Sequence, residues 1–100
     1  MKHEEHLDEL INHTHIIGIN HPIWILKEPK FYQQNNLYTE PDIIIHNGTT
    51  YIIEYKHQYR LHTAKKQLQK AKEVTQKHLK IQNPTLLYIY SHKYTIEQIF

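Results

Sequence analysis

The chain has 100 residues, among them 12 basic, 10 acidic and 10 histidine residues, a formal charge of +2 and no cysteine. One domain fits this length, and about 60–65% of the unfolded chain's surface can be buried, so the core is modest and a demanding function calls for an oligomer. Disulfide frameworks and thiol catalysis are excluded, no apolar run approaches the roughly 18 residues of a membrane span, and the opening Met1-Lys2-His3-Glu4-Glu5 is too acidic for a signal peptide.

His3 to His13 carries Leu7, Leu10 and Ile11 at i, i+3 and i+4, which predicts an amphipathic helix. Glu4 sits at the edge of that apolar stripe, unlike Glu5 and Glu9. His15 to Asn20 has no clear pattern, and Asn20-His21-Pro22 reads as a break. Ile23 to Lys27 predicts a first strand. Gln33 to Thr39 is polar and reads as a loop, either a flap or the end of an extended hairpin arm. Asp42–Ile45 and Thr50–Lys56 are β-branched and aromatic and predict two strands around Asn47-Gly48, a hairpin signal.

From Tyr59 to Lys80 the period changes. Leu61, Ala64, Leu68, Ala71, Thr75 and His78 recur at steps of three and four, predicting a long helix with lysines on its outer faces. Asn83-Pro84 ends it, Leu86–Tyr90 predicts a strand, and Thr95 with Gln98 is a capping-box pattern for a short last helix. The expected fold class is therefore α/β of the α+β kind: a mixed sheet in the order α-β-β-β-α-β, closed by a short C-terminal helix.

Charge is divided along the chain. Residues 1–55 carry three lysines against eight acids, net −5, and residues 56–100 carry nine bases against two acids, net +7. This places a carboxylate-rich half beside a cationic surface suited to a polyanion, or to solvent alone.

Alternation along a strand puts Glu54 and Lys56 on one face, with Ile53 and Tyr55 on the other. A two-residue loop of Asn47-Gly48 would pair Asp42 with Ile53 and turn it away from them. A three-residue loop, His46-Asn47-Gly48, with a bulge at Gly48 pairs Ile45 with Thr49 and Asp42 with Ile52, so that Asp42 lies diagonal to Glu54 on its face. Two carboxylates and a strand-end carbonyl make a hard oxygen site suited to Mg2+ or Mn2+. The competing reading of Glu54 and Lys56 is a surface ion pair, worth under about 1 kcal/mol.

Glu40-Pro41-Asp42, followed at twelve residues' distance by Glu54-Tyr55-Lys56, resembles the PD-(D/E)xK nuclease motif, and the order of elements resembles the restriction-endonuclease-like core. The layout is most like that of archaeal Holliday junction resolvases and related minimal nucleases. The resemblance implies that Asp42, Glu54 and the Tyr55 carbonyl bind metal and that Lys56 is the catalytic lysine. It also implies a catalytic glutamate on the first helix, matched by Glu4 with Glu5 second, and a glutamine on the later helix, matched by Gln67; the tyrosine often found four residues after that glutamine is Ala71 here. DNA and a homodimer are the partners it implies, with no membrane.

Tyr59, Arg60 and His62 follow the lysine closely enough to touch DNA, and Lys65, Lys66 and Lys70 would contact phosphate. The eight tyrosines are either stacking platforms or sheet packing. The histidines show no zinc-finger spacing; if all ten were charged the formal charge would rise from +2 to +12, strengthening polyanion binding below about pH 6.5. The expected function is a metal-dependent DNA endonuclease in an intracellular, cytoplasmic setting. The alternatives are a non-catalytic nucleic-acid-binding module of the same fold and an oligomeric protein whose basic helix binds an acidic partner.

Overall fold

In the computed structural model, which describes all 100 residues, His3–Asn12 form α1. Leu7 and Leu10 are buried together with His6, and Glu5 Oε1 accepts the Lys2 backbone N–H at 3.2 Å, satisfying one of the free donors at the helix start. A 3-10 turn, Thr14–Ile17, ends at Gly18 with φ +77°. The strands are β1 (Trp24–Lys27), β2 (Phe31–Gln33), β3 (Asn36–Thr39), β4 (Ile43–His46), β5 (Thr50–Lys56), β6 (Thr85–Tyr90) and β7 (Thr95–Ile99), with α2 (Leu61–His78) between β5 and β6.

The result is an α+β domain. Five strands form a mixed sheet in the order β1-β4-β5-β6-β7, in which only β5 and β6 are parallel, joined by the α2 crossover. β2 and β3 form a separate antiparallel hairpin. No helix is long and apolar enough to cross a membrane.

Alternation on the central strands feeds two cores. Ile43, Ile45, Ile53, Tyr55, Leu87 and Ile89 pack with Leu7 and Leu10 of α1. Ile44, Ile52, Leu86 and Tyr88 pack with Ala64, Leu68 and Ala71 of α2. The α2 stripe is as expected except at its end, where Val74 is buried and His78 is exposed.

Two expectations are corrected, and one open alternative is decided in favour of the hairpin arm. The C-terminal helix is instead β7, antiparallel to β6. The segment carries β-branched Thr95, Ile96 and Ile99, and the open edge of β6 offers it a continuous ladder from Tyr90 opposite Thr95 to Leu86 opposite Ile99. The polar stretch from Gln33 is part of a hairpin arm, turned by Gln34 and Asn35, both left-handed (φ +49° and +67°) as a two-residue hairpin loop requires.

The second correction concerns register. The β4–β5 loop is Asn47-Gly48-Thr49, and Ile45 pairs with Tyr51 and His46 with Thr50. His46 is held in the strand by its Nδ1 contact with Thr50 Oγ1 at 2.9 Å and by stacking against Trp24. This slides the pairing by two residues and so keeps every side chain on its expected face. Continued one step, it sets Asp42 directly opposite Glu54 instead of diagonal to it.

Gly48 turns this loop with φ +110°, and a methyl group there would meet nothing within 4 Å. Gly48→Ala is therefore expected to cost roughly 1–2 kcal/mol from backbone conformation alone. Urea unfolding should show a lower midpoint with an unchanged slope.

Candidate metal and nucleic-acid site

The end of β5 and the start of β4 bring Asp42 and Glu54 together through reciprocal hydrogen bonds. The Asp42 backbone N–H donates to Glu54 Oε1 at 3.0 Å, and the Tyr55 N–H donates to Asp42 Oδ2 at 2.8 Å. Lys56 Nζ lies 3.8 Å from Glu54 Oε2. Of the four residues expected at the centre, Asp42, Glu54, Tyr55 and Lys56, all meet here.

Glu54 is the only Asp, Glu, Lys or Arg among the buried residues, with 1% of its surface exposed. Burial, then repulsion from Asp42, pushes its carboxyl up to about 8. Burial also raises Asp42, opposed by its hydrogen bond from Tyr55 and by His3. One cation, Lys56, lies within ion-pair distance of the buried acid. Each carboxylate thus faces one basic side chain, Lys56 at Glu54 and His3 at Asp42, and the pair presents the hard oxygen donors that a divalent ion takes.

Pro41 completes this geometry. The Tyr55 N–H faces β4, and in an antiparallel ladder a residue's N–H and carbonyl point to the same neighbour. The observed ladder ends at Ile43 opposite Ile53; continued two steps it sets Pro41 opposite Tyr55, and proline has no N–H to offer the Tyr55 carbonyl. By contrast, the Lys56 carbonyl points the other way and accepts the Ser91 N–H at 3.2 Å. The Tyr55 carbonyl is thus free on the side where Asp42 lies.

No group of three or more His, Cys, Asp or Glu side chains converges to hold a metal. Two carboxylates and one carbonyl still fit Mg2+, which keeps several waters and takes one or two protein carboxylates. Glu4 does not join them. It is largely exposed and bonded to Lys27 Nζ at 2.8 Å, and its nearness raises the carboxyl of Glu28. Glu5 is spent on the helix start. The α1 residue that reaches the site is His3, with Nε2 3.2 Å from Asp42 Oδ1.

α2 covers the face that carries Glu54 and Lys56. Gln67 lies on its inner side between Ala64 and Ala71, and its Oε1 is buried without a hydrogen-bond partner. A buried amide oxygen without a protein partner is a place where water or a ligand group can bind, and Gln67 shares its hollow with His62, Lys66 and Lys70. Outward from it, His62, Lys66 and Lys70 border an open hollow that also includes Thr63 and Glu73. Lys65 is exposed.

Lys70 is partly engaged already. Its Nζ lies 4.7 Å from the Tyr38 ring centre and 3.4 Å from the Tyr38 carbonyl. Arg60 and Lys56 border a second hollow with His57 and Gln58. Tyr59 is 54% exposed, edge-on to Tyr90, with its hydroxyl on Glu97. Of the other tyrosines, Tyr55 and Tyr88 are packing: both are fully buried, and the Tyr88 hydroxyl accepts the Arg60 N–H at 2.6 Å.

The histidines are not a uniform set. His6 is buried, its Nδ1 2.8 Å from the Tyr94 hydroxyl, its ring against Tyr55 and its Nε2 unpartnered. Burial and the nearby His57 lower its pKa. It therefore takes up its proton at a lower pH than an ordinary histidine and contributes later to the gain in positive charge on acidification. Sequence gave no sign of this, because His6 sits on the helix face beside Leu7 and Leu10 in a chain rich in surface histidine.

No protein-family model matches this chain, and a search of curated proteins returns no match.

Proposed function

We propose that the chain is a metal-dependent DNA endonuclease of the PD-(D/E)xK kind, with a restriction-endonuclease-like core. The observation that carries the reading is the facing pair of Asp42 and Glu54, set beside a carbonyl left without a donor by Pro41 and a lysine two residues on. Asp42, Glu54 and the Tyr55 carbonyl would hold Mg2+ or Mn2+. When bound, such an ion polarises a phosphoryl oxygen and lowers the pKa of a coordinated water.

The chain's own residues do the rest. Lys56 stabilises charge on the phosphate as the phosphodiester bond to the leaving oxygen breaks and water adds to phosphorus. The Gln67 amide orients the water or a phosphate oxygen. His62, Lys65, Lys66 and Arg60 hold neighbouring phosphates without reading sequence. The reading includes a homodimer acting on branched DNA, as the resemblance to junction resolvases implies. The unpaired edge of β1, with exposed Ile23 and an apolar hollow formed by Trp24, Leu26, Leu79 and Ile81, is where a second copy would bury surface.

A second reading is favoured by the reciprocal hydrogen bonds. Each carboxylate accepts a backbone N–H at the β4–β5 junction, so the pair would also serve as a structural clamp in a non-catalytic DNA-binding module. A cleavage panel separates the two: linear duplex, single strand and four-way junction, with and without Mg2+ or Mn2+. Metal-dependent cutting that is lost in Asp42→Ala, Glu54→Ala and Lys56→Ala supports the enzyme. DNA binding without cutting supports the module, and cutting that survives Glu54→Ala removes the site assignment.

Both readings predict a steep salt dependence. Lys66→Ala is expected to weaken binding to all duplex sequences alike and to flatten the log–log salt slope by about 1. Titrations between about 50 and 200 mM salt measure this directly, and an unchanged slope would take Lys66 out of the interface.

A further inference from the structure

We propose that the β2–β3 hairpin is a minor-groove wedge, in which Tyr32 and Leu37 enter a base step of duplex DNA while the amide side chains of the tip contact the groove edge. The proposal rests on the DNA-binding reading above and adds to it the element that selects deformable duplex.

Tyr32 and Leu37 are cross-strand partners, 56% and 51% exposed, and form an apolar pair on the solvent face of the hairpin. Paired across the two strands, they give the hairpin a compact apolar edge that projects into solvent. Next to them the tip reads Gln33-Gln34-Asn35-Asn36, and no residue from Phe31 to Thr39 is charged. Minor-groove proteins combine these two features: Asn and Gln on the groove edge, where the acceptor pattern is sparse, and apolar wedges that unstack a step.

The hairpin is also held where DNA would pass. Tyr38, on its other face, anchors it to α2 through Glu73 Oε2 at 3.3 Å and through Lys70. The tip lies over the far end of the same helix, where Tyr32, Gln33 and Gln34 share a cleft with Lys77 and His78. α2 begins at the end of β5 that carries Glu54 and Lys56, so one basic helix connects the carboxylate site with the wedge. From Gln67 to His78 the helix rises about 16 Å, or about five base steps. A charged ridge beside an uncharged apolar tip suits a polyanion better than a protein partner.

The test is binding in the absence of divalent ions, so that it does not depend on cleavage. A duplex with 2-aminopurine placed in turn at each of about ten positions along an A·T-rich site reports unstacking as a rise in fluorescence. The parent is expected to raise the signal at one step, about five base steps from the bond cut when metal is supplied. The Tyr32→Ser, Leu37→Ser pair should abolish that rise and weaken duplex binding about tenfold with unchanged thermal melting, whereas Tyr32→Phe with Leu37→Met should retain it. Equal fluorescence in parent and serine variant, or no rise with the parent bound, overturns the wedge and leaves the nuclease reading standing. A changed oligomeric state with unchanged fluorescence also overturns it and assigns the pair to a second copy. If the parent binds no DNA, both proposals fall.

Discussion

Glu54→Gln is expected to reduce metal-dependent cleavage by at least about 1,000-fold, close to 4 kcal/mol of transition-state stabilisation, while the chain still folds. Glutamine keeps the size of the side chain and an oxygen to accept the Asp42 N–H, so the β4–β5 junction is retained. What it loses is the negative charge that a divalent ion requires. Asp42→Asn should behave in the same way, and the double variant should be little worse than either single one, because the two act as a unit. Single-turnover cleavage of a labelled duplex at saturating Mn2+ measures the loss, and thermal melting confirms folding. A variant within tenfold of the parent would mean that Glu54 is only a clamp.

Stability should fall with rising pH when no divalent ion is present. The folded-state pKa of Glu54 is raised to about 8 from an ordinary 4.5, so between these values the native state binds a proton that the unfolded state has lost. The contribution is fully present below about pH 4.5 and is lost as pH rises through about 8. Asp42 is shifted in the same direction. The expected loss between pH 5 and 8.5 is of the order of a few kcal/mol, read from urea unfolding in chelator. Glu54→Gln should flatten the profile and melt higher than the parent at pH 8. Adding Mn2+ at that pH should raise the melting temperature of the parent and not of the variant, since the ion binds only the folded, ionised pair. A parent profile that rises from pH 5 to 8.5 would contradict the burial argument.

The sequence carries the parts of the site that depend on local periodicity. Alternation in Thr50–Lys56 puts Glu54 and Lys56 on one face, Asn47-Gly48 marks the turn, and the steps of three and four from Leu61 lay down α2. Parity also puts Asp42 on the shared face, although the register is two residues from the expected one. That slip goes with two contacts of His46, one with Thr50 across the turn and one with Trp24 on the neighbouring strand, and the second lies outside any local pattern. β7 was hidden for a similar reason: Thr95-Ile96-Glu97-Gln98-Ile99 suits a helix start or a strand, and the free edge of β6 decides. At the start of α1, His3 and Glu4 are adjacent, and only the docking of the helix determines that His3 turns to Asp42 while Glu4 turns to Lys27. The nuclease resemblance rests on the motif and on the order of elements.

β5 is buried on both faces, with Ile52 and Ile53 equally suited to either core. Hydrophobic pattern alone therefore discriminates poorly between the native pairing and one shifted by a single residue. Glu54 and Lys56 remove that ambiguity: a one-residue shift would drive a carboxylate into the apolar layer beneath α1, far from Asp42's N–H, and bring Tyr55 under α2. The acid that makes the candidate site also acts as the key that locks the central strand in its slot, so an apolar residue at position 54 would loosen the choice among pairings as well as remove the chemistry, whereas glutamine keeps the lock.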